Sequence, residues 1–339
     1  MPTTDFSNAT PSSGTDATIN PSPNISVPRD ASPPFNKPSA NLIIRSSDGV
    51  DFRVQQAILM EASSVFADML SLPATMPGQR ESDDQEYRDG MPVVPVSEDA
   101  QTMDTVLRFC YPVARPELKT SLEICNALRA SRKYFIASME IEVLEVFEAH
   151  AEKKALELYA LSAMETGWEK EMKIAAKQTL QNLFPTGLLI PQMARMATPA
   201  YVQLQVYYHK CVSAAARSVL PYTNEPFEMP GIDHLRYTFL CCPHIGSHPS
   251  STKMKVNFMK INQVVEVDSW VIEYLRNLRD KISPRPRFRT NEIFFRYAPL
   301  AARSGCQACA RTIVQDLSDF QDEVFRLVDE AVEKIELSV

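Results

Sequence analysis

The stretch from Asn41 to Leu72, NLIIRSSDGVDFRVQQAILMEASSVFADMLSL, constrains the fold more than any other part of the chain. Leu42, Ile43 and Ile44 form a short apolar run, and Phe52-Arg53-Val54 form a second. Between them lie Ser46, Ser47, Asp48 and Gly49. An Asp-Gly turn between two such runs predicts a β-hairpin, because Gly accepts the positive φ that tight turns require. After Val54 the apolar period changes from two to helical. Ala57, Ile58 and Leu59 make one turn; Ser63 or Ser64 caps a second helix carrying Val65, Phe66, Met69 and Leu70.

That order continues in specific motifs: PVVPVSED at Pro92–Asp99, VLRFCYP at Val106–Pro112 and RKYF at Arg132–Phe135. Together with strand, DG turn, FxV strand, A-x-L and S-x-VF-x-x-ML, they resemble the BTB/POZ domain, in the form found in the fungal BTB family with a helical C-terminal extension. The resemblance spans Ser39 to about Ala151. It implies an α+β, mostly helical chain: a short three-stranded sheet with a helix cluster, then a helical extension and a C-terminal helical region.

It also implies a protein-interaction module rather than an enzyme. BTB domains pair through the first strand and first two helices, here Leu42–Arg45 and Gln55–Leu70. Leu42, Ile44, Ile58, Val65, Phe66 and Met69 are the implied contact residues of a homodimer, or of a pairing with other BTB proteins. The family pattern has Asp before the first strand and His-Lys before A-x-L; this chain has Asn41 and Gln55-Gln56. A second family use is as a substrate adaptor gripping a cullin of a ubiquitin ligase, through roughly Met103–Leu128. Leu122-Glu123 and Pro116-Glu117 fit the cullin signature poorly. A third use is transcriptional regulation through protein partners.

In chain order, residues 1–38 hold eight prolines and few apolar residues, which predicts a disordered tail. Pro73 to Gly90 reads as a polar loop. Val93, Val94 and Val96 form a third strand, and Ser97 is expected to cap the following helix, which buries Met103, Val106, Leu107 and Cys110. Further helices start at Ser121 and near Ser138. Residues 152–220 read as a helical, BACK-like extension, with Thr198 as an N-cap, Pro199 at the first helical position, and His209 as a structural histidine among aromatics. In 221–339 the patterns predict a strand at Arg236–Cys241 and helices at about Asp268–Ile282 and Ala308–Ile335, the last packing on the Trp270 helix.

The net charge of −7 and pI near 5.4 argue against a direct nucleic-acid surface, and RPRFR at Arg285–Arg289 is too short to reverse this. No apolar run approaches the roughly 20 residues that cross a bilayer. The first residues lack a secretory pattern. Seven cysteines in 339 residues do not suggest a disulfide framework, so a reducing compartment, cytoplasmic or nuclear, is expected.

Nine glycines are scattered so that no two lie within six residues, which excludes GxGxxG and P-loop phosphate cradles. HExxH, EF-hand and GxSxG patterns are absent, and no enzyme is expected. One metal constellation remains. Cys241 and His244 in CCPHIGSHPS, with Cys306 and Cys309 in CQAC, supply the four borderline ligands a structural zinc ion takes. The alternative is that Cys241 and Cys242 are buried strand cysteines, with His244 and His248 on a surface loop.

Overall fold

The computed structural model describes residues 28–71, 86–184, 190–220, 226–242, 252–304, 306–307 and 309–338. The chain divides into two compact units, Met1–Pro112 and Val113–Val339. The architecture is α+β and mostly helical.

The first unit is built on the hairpin. Strands β2 (Leu42–Arg45) and β3 (Val50–Val54) pair antiparallel, with Leu42 opposite Val54 and Ile44 opposite Phe52. Gly49 turns the chain at a φ of 79°, and the Ser46 hydroxyl accepts the Val50 N–H at 3.0 Å. β1 (Arg29–Asp30) lies parallel to the outer edge of β3. Helices α1 (Gln56–Ala62) and α2 (Ser64–Ser71) follow, and Ser63 Oγ caps α2 by accepting the Phe66 N–H at 3.1 Å. Strands β4 (Tyr87–Arg88) and β5 (Met91–Pro95) complete the sheet, which runs β1-β3-β2-β5-β4. β5 is parallel to β2, with Ile43 opposite Val93. A parallel pair needs a crossover rather than a tight turn, and the segment carrying α1 and α2 is that crossover. The three strands expected from the sequence are thus the middle of a five-stranded sheet.

Three boundaries differ from expectation. Residues 28–38 are ordered: Arg29 and Asp30 join the sheet, and Phe35 is buried against Phe52 and Tyr111. One buried aromatic and edge pairing offset the ordering cost that the prolines and polar residues suggested. Residues 1–27 lie outside the described residues. The loop expected to run to Gly90 contains β4. Helix α3 (Ala100–Cys110) is capped by Asp99, whose carboxylate accepts the Thr102 N–H at 2.8 Å, and not by Ser97. The charged acceptor also faces the positive end of the helix dipole, which favours it over a hydroxyl.

The second unit opens with α4 (Ser121–Lys133), started by a capping box of Thr120 and Glu123. α5 (Ala137–Ser162) runs unbroken through position 151, where the helical extension was expected to start; its irregularity is a kink at Lys154. α6 (Glu169–Thr179) and α7 (Thr198–Val219) follow. Thr198 is the first helical residue of α7 and not its cap, and Ala197 in the cap position makes no side-chain bond. A second sheet, β6-β7-β8, combines β6 (Phe227–Met229) with the hairpin β7 (Lys253–Phe258) and β8 (Gln263–Asp268). The short α8 (Thr238–Cys241) stands where a strand was expected. α9 (Ser269–Ile282), α10 (Glu292–Ser304) and α11 (Ile313–Glu333) close the unit. α11 packs chiefly along α7 and α10, while Tyr274 of α9 reaches it through a 3.0 Å hydrogen bond to Gln321.

Candidate functional site

The expected contact residues fall into two groups. Leu42, Ile44 and Phe66 are fully buried in the chain, so they are core and not surface. β2 is paired on both edges and covered on both faces, since its middle residue Ile43 is also buried, with Met91 and Val93. Alternation therefore could not mark an outward side. Ile58 and Val65 are half-buried, and Met69 is 37% exposed. With exposed Ala57, these leave a partly open apolar surface on α1 and α2.

Asn41 and Gln55 have internal roles. Asn41 Oδ1, from the residue just before β2, accepts the Gln56 N–H at 2.9 Å and caps α1, since Gln55 itself provides no side-chain cap. Gln55 donates its backbone N–H to the Tyr111 hydroxyl at 2.6 Å. These bonds fix the angle at which α1 leaves β3.

Sequence reasoning missed a charged network across the first sheet. Asp51 has no exposure and receives hydrogen bonds from Arg45 and Arg88. Asp30 and Asp89 face Arg88 and Arg53, and Glu86 faces Arg45. Desolvation pushes the Asp51 carboxyl up, yet the hydrogen bonds and charges of the two guanidiniums outweigh it and hold it below the usual carboxylate range. Three guanidiniums thus meet four carboxylates within the network.

One serine, histidine and glutamate also meet. Ser121 Oγ lies 3.2 Å from His150 Nε2 and donates to Glu157 Oε2 at 3.0 Å. In a nucleophilic triad the acid orients the imidazole; here it takes the serine hydroxyl directly, which reads as a structural clasp between α4 and α5. Burial lowers the His150 pKa, and Lys153 and Lys154 add to that. A cleft of about 300 Å³ beside the α5 kink is lined by Lys154, Glu157, Leu183, Phe184 and Ile190. His209 is exposed on α7 with its ring edge-on to Tyr208, rather than set into the core.

For the expected zinc ligands, His244 and the Cys309 side chain lie outside the described residues. Cys241 Sγ turns back to donate to the Leu235 carbonyl at 3.8 Å. Its neighbour Cys242 instead meets Cys306, Sγ to Sγ 3.6 Å. Among the described residues no three His, Cys, Asp or Glu side chains converge as metal ligands. The register slips by one because residues 238–241 are helical, and a helical step rotates each successive side chain by about 100° where a strand alternates. No described helix is long and apolar enough to cross a membrane. Compared with known proteins, the chain matches no family model and no curated protein.

Proposed function

We propose that the chain is a BTB/POZ-type interaction module that pairs with a second copy of itself through α1 and α2 and carries no catalytic chemistry. The observation that carries this reading is the topology of the first unit: a hairpin, two short helices, and a third strand returning parallel to the first. The motif order in the sequence fits that topology element by element. Ala57, Ile58, Val65 and Met69 offer the apolar patch that a self-complementary interface would cover. Other BTB proteins, a cullin, or a transcription complex are further partners that the resemblance implies.

Light scattering on the eluting full-length chain tests the pairing. The expected mass is that of a dimer, shifting to monomer in Met69→Glu/Ile58→Glu with the melting profile retained. A wild-type chain that stays monomeric at high concentration sinks the reading.

A further inference from the structure

We propose that Cys242 and Cys306 are a reversible thiol–disulfide pair: a small-molecule disulfide oxidises Cys306 first, and the new bond clasps the end of α8 to the segment before α11. Cys241 stands outside the pair, and the inference is independent of the interaction reading.

The Cys242 and Cys306 sulfurs are 3.6 Å apart, although 64 positions separate them in sequence. A disulfide holds its sulfurs at about 2.05 Å, so closure asks for about 1.5 Å of movement, small enough to be shared between two side chains. The backbones around both residues are fastened to one helix. Thr238, at the start of α8, donates its N–H to Asp316 Oδ2 of α11 at 2.7 Å, and its hydroxyl lies 2.9 Å from that of Thr312. Tyr237 and Phe239 pack their rings on Phe320 of the same helix. On the other side, the Ala310 N–H donates to the Cys306 carbonyl at 2.9 Å, which ties Cys306 to the turn that leads into α11. Cys241 is the nearer residue to α8, yet its sulfur points back to the Leu235 carbonyl.

Cys306 is half-buried and Cys242 only 7% exposed, so a dissolved oxidant meets Cys306 first. The Cys306 thiolate attacks one sulfur of the small disulfide. That S–S bond breaks, a mixed disulfide forms on Cys306, and the departing sulfur leaves with the bonding pair and takes up a proton. Cys242 gives its proton to solvent, attacks Cys306 Sγ and expels the second small thiol. Two protein thiols have then lost two electrons, and one small disulfide has become two thiols. Reducing surroundings keep the pair open, so closure reports a shift towards oxidation. The closed bond encloses β7, β8, α9 and α10 in one loop, and restraining a long loop in the unfolded chain favours the folded one.

The test treats reduced full-length chain with oxidised glutathione and maps its peptides without reductant. A Cys242–Cys306 cross-link is expected in the wild type and equally in Cys241→Ser, reversed by dithiothreitol. In Cys242→Ser the reaction is expected to stop with glutathione held on Cys306, which separates the attacking sulfur from the resolving one. The wild-type chain gives a reading that needs no variant to fold: its oxidised form is expected to melt higher than its reduced form and to fall back on reduction. Glutathione left unresolved on wild-type Cys306, Cys241 cross-linked in place of Cys242, a bond that forms only after a metal chelator is added, or an oxidised chain that melts no higher each overturns the proposal.

Discussion

Arg45 and Asp51 are joined by two parallel hydrogen bonds across the β2–β3 turn, Nε to Oδ1 at 2.5 Å and Nη2 to Oδ2 at 2.9 Å. Arg88 adds a third to Asp51 Oδ2 at 2.5 Å, so one buried carboxylate links β2, β3 and β4. A two-pronged contact of this kind fixes direction as well as distance, which makes it a register pin for the sheet.

Asp51→Asn keeps the volume and removes the charge that both guanidiniums face. The expected cost is about 3 kcal/mol, at the low end for breaking a buried pair because Arg45 and Arg88 keep some contact with water. The pH dependence follows from the direction of the shift. A carboxyl whose folded pKa is depressed adds stability above its unfolded value of about 3.9, and that stability is lost as pH falls through the folded value. Denaturant titrations from neutral to acidic pH are expected to show a steep acid limb in the wild type and a flatter one in Asp51→Asn. Parallel acid limbs would mean that Asp51 is not the responsible group.

Arg132 holds a second buried charge. Its Nη2 donates to Glu171 Oε1 at 2.7 Å and its Nε to Glu140 Oε1 at 2.8 Å, while the guanidinium lies over Trp168, 5.0 Å from the ring centroid. Glu171 is 1% exposed and Glu140 about a third, so removing Arg132 strands mainly one carboxylate. Arg132→Ala is expected to destabilise by about 3 kcal/mol, and Arg132→Lys by somewhat less, since an ammonium cannot reproduce the fork or the stacking. In a double-mutant cycle, Glu171→Gln should recover part of the Arg132→Ala loss. Strict additivity would show that the pair is not coupled.

The sequence made legible what local chemistry decides. The Asp48-Gly49 turn marked the hairpin; the helical pattern starting at Ser121 marked α4; and the stripe from Trp270 to Leu278 marked α9. Distant packing decided the rest. The run from Arg236 to Cys241 alternates large residues as a strand would, yet the contacts of Tyr237 and Phe239 with Phe320 and Trp270 favour a turn of helix. The β7–β8 hairpin turns at Asn262, with a φ of 51° and no glycine, so it carries no strong punctuation. α10 contains Pro299 and exposes Phe295, both of which blur a helical stripe. The candidate surface was half legible for a related reason: Leu42 and Ile44 are apolar because the sheet is covered on both faces, and an apolar residue does not announce which neighbour covers it.

Phe320 is where the second unit's late elements meet. Its ring packs edge-on against Tyr237 at 5.1 Å and Phe239 at 5.5 Å, and lies 6.3 Å from Tyr274, so α11 touches the segment before α8, α8 itself and α9 through one fully buried side chain. Truncation removes the transferred apolar area and leaves a cavity whose aromatic walls are fixed by other contacts, among them the Tyr274–Gln321 hydrogen bond. Phe320→Ala is therefore expected to cost about 4 kcal/mol, and Phe320→Leu about 1.5 kcal/mol because most of the volume remains. Denaturation of both variants beside the wild type measures the difference. A loss below about 1 kcal/mol for the alanine variant would show that the surrounding rings collapse onto the space, contrary to the rigid junction these contacts describe.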